Sequence, residues 1–134
     1  VVAMRNGHPL QGNTWNLDSY LSARHVLVSS RAEGPGVEDF ALTRLGKVRQ
    51  VALRCQNYYA AIQVMQQTDL LLTLPGSFAR SMATRQSDFT VLPLPLPLAP
   101  LEMHLYWHRK ASRDPAVMWL KEQMAGLMPG AVSG

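Results

Sequence analysis

Two short runs decide what this chain can fold into: His25-Val26-Leu27-Val28 and Leu70-Leu71-Leu72-Thr73-Leu74. Neither alternates cleanly between apolar and polar residues, so each strand has to be covered on both faces. Strands of that kind belong to parallel sheets with helices above and below. The intervening segments agree. Val37, Phe40, Ala41 and Leu45 recur at helical spacing before the stop Gly46, which predicts a helix turned inward on those residues. Tyr58, Ala61, Ile62 and Met65 predict a second helix, and residues 48–54 a strand between the two.

The flanks extend the pattern. Residues 1–4 read as a strand, and residues 17–22 as a short helix capped by Thr14 or Asn16. Pro75 sits where a helix begins, with Phe78, Ala79 and Met82 on its inner side, and residues 89–92 return as a strand. Met103, Leu105 and Trp107 alternate with His104, Tyr106 and His108, the pattern of a half-buried strand. Asp114 then caps a last helix that has Pro115 first and Val117, Leu120, Met124 and Leu127 inward, and the tail from Pro129 reads as frayed. The expected class is α/β with mainly parallel sheets.

In such sheets ligands bind beyond the carboxyl ends of the strands, where strand order reverses. Three loops lie there: Ser29-Ser30-Arg31, Gln56-Asn57-Tyr58 and Leu74-Pro75-Gly76-Ser77. They offer hydroxyls, an amide that can also cap a helix, aromatic faces at Tyr58 and Tyr59, and two helix N-termini. A few convergent polar groups in an apolar setting suit a small molecule.

Other chemistries find little support. The chain has 134 residues, enough for one sizeable core, with 47% hydrophobic and 16% charged residues, an ordinary globular balance. Its net charge of +4 is scattered rather than gathered into a basic patch, so direct nucleic-acid contact by this segment is not expected. Cys55 is the single cysteine, which excludes an internal disulfide and offers no metal cluster. His104 and His108 on a strand would lie about 13 Å apart, too far to share a metal. No nucleophile elbow, phosphate loop or dinucleotide fingerprint occurs, and acidic residues are few and unpaired. No enzyme, metal or cofactor is expected. No apolar run nears the roughly 20 residues of a membrane span, and the opening VVAMRNGHPL does not make a signal peptide. A cytoplasmic setting is the default expectation, with a preceding portion absent from this chain.

The run VLPLPLPLAP poses a separate question. At period two, Leu92, Leu94, Leu96 and Leu98 share one side and Pro93, Pro95 and Pro97 the other. Proline cannot donate to a sheet ladder, and no Arg or Lys lies between Arg85 and Arg109 to anchor an adaptor domain. An extended crossover with an apolar inner side fits better than a recognition motif or a free linker.

Taken in order, the stretches "RNGHPL", "LSARHVLVSSRAEGPGVEDFALTRLG", "QVALRCQNYYAAIQVMQQTDLLLTLPGSFARSM" and "LEMHLYWHRKASRDPAVMWLKEQM" resemble the effector-binding domain of LysR-type transcriptional regulators. The resemblance spans nearly the whole chain. It is nearest to a branch that senses aromatic acids, nitroaromatics and flavonoids. That branch often carries His-Phe where this chain has Asn57-Tyr58, and Leu-Phe-Trp-His where it has Leu105-Tyr106-Trp107-His108.

The resemblance implies a periplasmic-binding-protein-like (type 2) fold. Residues 1–92 would be the second α/β subdomain, with the first crossover strand at 1–4. Residues 93–134 would be the second crossover and the C-terminal part of the first subdomain, and the DNA-binding helix-turn-helix would lie outside this chain. It further implies a small aromatic or acidic effector held between the subdomains, DNA contact only through the absent module, and a homo-oligomer (dimer or tetramer) at full length. The helix at residues 76–85 would be its dimer contact. Ser29, Ser30, Asn57, Tyr58, Pro75 and Gly76 would line the cleft, with Arg5 pairing a ligand carboxylate. A stand-alone solute-binding protein of the same fold is the competing expectation.

Overall fold

The computed structural model describes residues 1–83, 88–99 and 104–127, in two compact units, Val1–Pro100 and Leu101–Gly134. The frayed tail expected from Pro129 lies outside the described residues. The first unit is built on one five-stranded sheet. Its strands are β1 (Val2–Arg5), β2 (Arg24–Val28), β3 (Gln50–Cys55), β4 (Leu70–Thr73) and β5 (Phe89–Leu92), in the order β3-β2-β4-β1-β5. Its helices are α1 (Leu17–Ser22), α2 (Val37–Arg44), α3 (Tyr58–Gln66) and α4 (Gly76–Ala83).

β2 pairs in parallel with both β3 and β4, as two-sided burial requires. β1 is inserted antiparallel between β4 and β5, so the sheet is mixed and only β1 runs against the rest. A four-residue strand carries no directional signal in its residues, so this reversal was not readable from Val-Ala-Met-Arg.

Successive residues face opposite sides, and each side has its own core. Ala3, Val26, Leu70 and Leu72 pack under α3 and α4 against Ile62, Met65, Ala79 and Met82. Val2, Met4 and Leu71 pack under α1 and α2 against Tyr20 and Leu42. The proline run joins that second core. Leu96 is buried within it, Leu92 and Leu94 lie against it, and Pro93 and Pro97 face solvent. The Trp15 indole N–H donates to the Pro93 carbonyl at 2.7 Å, pinning the start of the run. The first compact unit therefore includes the run, through residue 100.

Caps follow the sequence. Asn16, not Thr14, closes α1, its Oδ1 accepting from Ser19 N at 2.9 Å. Asn57 closes α3 in the same way through Ala60 N, also at 2.9 Å.

Of the inward face expected for α2, only Ala41 packs against the core. Val37 and Phe40 are 60% and 55% exposed, and Leu45 is exposed too; Leu42 is the buried residue. The cause is electrostatic: Glu38 and Asp39 turn toward the sheet to meet the buried guanidinium of Arg49, which rotates the apolar stripe outward.

In the second unit, α5 (Pro115–Leu127) starts as expected, with Asp114 Oδ1 accepting from Ala116 N at 2.9 Å. The strand expected at residues 103–108 does not form a ladder. Residues 104–108 are exposed, and Met103 lies outside the described residues. Alternation makes a strand only where a neighbour supplies hydrogen bonds, and the other described elements of this unit are α5 and the 3-10 helix Arg109–Arg113. Leu120 and Leu127 of α5 are likewise exposed rather than inward. Trp107 is held locally, its N–H on Ser112 Oγ at 3.1 Å and Lys121 Nζ 4.5 Å above its ring.

Candidate functional site

The connection β2-α2-β3 moves to one side of β2, and β3-α3-β4 crosses to the other. The strand order therefore reverses at β2, and the loops after β2 and β4 lie on either side of the point where open α/β sheets form a ligand crevice at the carboxyl ends of their strands. Ser29 and Ser30 follow β2 directly. Ser29 N donates to Cys55 O at 2.9 Å, which ties this loop to the end of β3, and Ser29 Oγ accepts from Arg31 N at 3.1 Å. Asn57 and Tyr58 follow β3. The Asn57 carbonyl oxygen serves the cap, which leaves its NH2 group as the side chain's remaining donor.

Pro75 and Gly76 follow β4. The Pro75 carbonyl accepts from Ala79 N at 3.0 Å, so proline stands one residue ahead of the helix it introduces. Leu74 exchanges backbone hydrogen bonds with Val1 at 3.0 and 3.1 Å, which fixes the loop against the start of β1.

Aromatic contacts connect the first turns of α3 and α4. The Phe78 ring lies 5.2 Å from Tyr58 and 5.7 Å from Tyr59, the second pair edge to face. Burial, with the Glu38 carboxylate second, pushes the Tyr58 phenol above its ordinary value, so it stays a neutral donor near pH 7. Phe78 was legible as an inward helix residue but not as the ring that joins the two tyrosines.

Six of the seven expected positions thus stand at one end of the sheet. Arg5 does not. β1 runs antiparallel to β4, so Arg5 ends beside Asp69 at the start of β4, at the opposite edge. Its Nε and Nη2 bond Asp69 Oδ1 at 2.8 and 2.6 Å, and Nη1 donates to the Asn6 and Gly7 carbonyls.

Under the crevice, on the α2 side, lies a polar network that was not legible in the sequence. The Arg49 side chain, 1% exposed, donates from Nε to Asp39 Oδ1 at 2.6 Å, from Nη2 to Glu38 Oε2 at 3.0 Å and from Nη1 to the Tyr20 hydroxyl at 3.1 Å. The Tyr20 hydroxyl also meets Thr73 Oγ1 at 3.0 Å, and Asp39 Oδ2 accepts from Gly36 N at 2.5 Å. Burial opposes charge on Arg49, but the Asp39 hydrogen bond and the charges around it hold the guanidinium above its ordinary value. Burial likewise works against the Asp39 carboxylate, and the bonds from Arg49 and Gly36 outweigh it and lower its pKa. His25 is fully buried beside Tyr20, its Nε2 on the Tyr20 carbonyl at 2.9 Å; burial and then the Arg49 charge lower its pKa to about 4. Its ring is therefore neutral at pH 7.

Among the described residues, no three His, Cys, Asp or Glu side chains gather as a metal site, and no helix is long and apolar enough to cross a membrane. The arrangement suits binding: hydroxyls, an amide and aromatic edges stand at the carboxyl ends of the strands, beside a hydrogen-bonded polar network.

A family model for the LysR substrate binding domain matches residues 1–129. The chain belongs to this family. This LysR substrate-binding domain is 31% identical over 127 residues to the HTH-type transcriptional activator NahR of Pseudomonas putida, covering 95% of the chain and 42% of NahR. It is 30% identical over 131 residues to the HTH-type transcriptional activator NagR of Ralstonia sp, covering 98% of the chain and 43% of NagR. The crystal structure of PA0477 from Pseudomonas aeruginosa superposes with a TM-score of 0.70 at 32% identity, over 94% of the chain and 40% of PA0477. The chain thus spans about two fifths of the length of the curated relatives it matches. The fold is the type 2 periplasmic-binding-protein-like α/β fold expected from the sequence, with a mixed sheet.

Proposed function

We propose that this chain is the effector-sensing part of a LysR-type DNA-binding transcriptional regulator. It binds a small aromatic or acidic effector at the carboxyl ends of β2, β3 and β4 and thereby changes transcription. The convergence of Ser29, Ser30, Asn57, Tyr58, Pro75 and Gly76 at the point where strand order reverses carries this reading. Residues 1–92 supply one wall of the cleft, and residues 93–134 lead into and complete part of the other subdomain. In the whole protein DNA is contacted through a separate module, and the regulator works as a homo-oligomer in the cytoplasm. It performs no catalysis.

The physical requirement is simple: an effector shifts the equilibrium between two poses only by the difference in its contacts with each. Relatives described as HTH-type activators favour this reading over a stand-alone solute-binding protein. The test is a thermal-shift screen of aromatic acids on the full-length regulator, followed by Asn57→Ala and Tyr58→Ala. A stabilising acid should lose affinity in both variants. An acid that binds both as tightly as the parent would place the site elsewhere.

A further inference from the structure

We propose that Arg49 is a positioning residue for effector binding: it sets the distance between the loops after β2 and β4 without touching the ligand. The inference rests on the binding reading above and adds a residue to it. Its basis is an unbroken chain of hydrogen bonds across the point where strand order reverses. The chain starts at Gly36 N, the last residue of the loop after β2, and passes through the Asp39 carboxylate to Arg49. From Arg49 it continues through the Tyr20 hydroxyl to Thr73 Oγ1. Thr73 ends β4, two residues before Pro75. Glu38, on the first turn of α2, occupies the remaining terminal nitrogen.

One buried guanidinium therefore holds α1, α2 and, through Tyr20, β4, and its two outer ends are the bases of both crevice walls. The junction has little slack. A Cβ at Gly36 would stand 2.6 Å from Leu27 Cδ1, 2.9 Å from Glu38 Oε2 and 3.2 Å from Arg49 Nη2, so the loop after β2 is seated directly on the ion pairs. A planar fork with fixed donor directions transmits a displacement at one acceptor to the others, which a flexible lysine ammonium would not do. Tyr20 is the weak point at which the two walls can be uncoupled: its hydroxyl alone joins Arg49 to Thr73, while both carboxylate bonds survive its loss.

The test compares the full-length parent with Tyr20→Phe, Arg49→Lys and a control, Leu70→Ala, at the far end of β4. Backbone hydrogen exchange reads the loops directly. Tyr20→Phe should speed exchange at residues 74–77, and Arg49→Lys at both 29–36 and 74–77. The control should lower the melting temperature without a selective change in either loop. Calorimetric titration with benzoate gives the second readout. Tyr20→Phe should weaken binding by about tenfold, whereas the control stays within about twofold, the range expected of independent sites. The inference is overturned if the loops of Tyr20→Phe exchange like the parent's, or if the control loses as much affinity as Tyr20→Phe. Exchange needs no ligand, so a parent protein that binds none of the screened acids counts against the binding reading while exchange still decides the role of Arg49.

Discussion

Replacing Leu96 by alanine tests whether the proline run is core or linker. Leu96 is 6% exposed and packs among Val2, Met4, Tyr20, Leu42 and Leu71. The substitution removes three carbons, which at about 0.8 kcal/mol each amounts to roughly 2.4 kcal/mol of lost transfer energy. The cavity left behind raises the cost to about 3 kcal/mol, within the ~2–5 kcal/mol observed for buried leucines. Pro97, next in sequence, is exposed, and Pro97→Ala should stay within about 0.5 kcal/mol of the parent. Urea denaturation of the full-length protein, with every tryptophan other than Trp15 changed to phenylalanine, isolates the signal of Trp15, which is bonded to Pro93 O. The midpoint should fall for Leu96→Ala with an unchanged slope, since the exposed surface is nearly the same. Equal midpoints for Leu96→Ala and Pro97→Ala would falsify the packing and return the run to the status of a tether.

Two further outcomes follow from the polar base. His25 has a folded pKa near 4 against an unfolded value near 6.5, so the unfolded chain binds the extra proton between those limits. Stability contributed by neutral His25 is complete above about pH 6.5 and is lost as pH falls toward 4, by on the order of 3 kcal/mol. His25→Gln should flatten the slope of stability between pH 6.5 and 4, and an unchanged slope would assign it to other groups. Asp39 adds a loss at lower pH, because its folded pKa lies below the unfolded value. Gly36→Ala should destabilise the protein by about 1–3 kcal/mol through overpacking against Leu27 and Glu38, measured as the urea midpoint; a neutral result would show that Leu27 moves aside freely.

Much of the sheet was legible because its central strands are nearly continuous apolar runs. Leu70–Thr73 and Arg24–Val28 could be placed in the middle from composition alone, and the loops beyond them followed from the rule for open α/β sheets. Caps were legible because Asn16 and Asn57 act on residues three positions away. Features that depend on a distant partner were not. The direction of β1 is set by its hydrogen bonds to β4 and β5, and the fate of residues 104–108 by the lack of a pairing neighbour among the described residues. Arg5 looked available for a ligand because Asp69, its partner 64 positions away, cannot be paired with it from sequence spacing.

Helix α2 shows how one unforeseen contact reverses a local inference. Its apolar residues at helical spacing predict an inward stripe, and in isolation burial of Val37 and Phe40 would be favoured by roughly 1.5–3 kcal/mol each. The opposing choice would strand a guanidinium under the helix with no anion. An unpaired buried charge costs several kcal/mol, and breaking one such pair costs about 3–5 kcal/mol. Two carboxylates answering one arginine therefore outweigh the burial of two apolar side chains, and the helix turns its acidic edge to the sheet. The same contact that defeats the hydrophobic pattern seats Gly36 on the network and, through Tyr20 and Thr73, reaches the loop after β4. In this domain the error in reading α2 and the coupling between the crevice walls have one cause, the burial of Arg49.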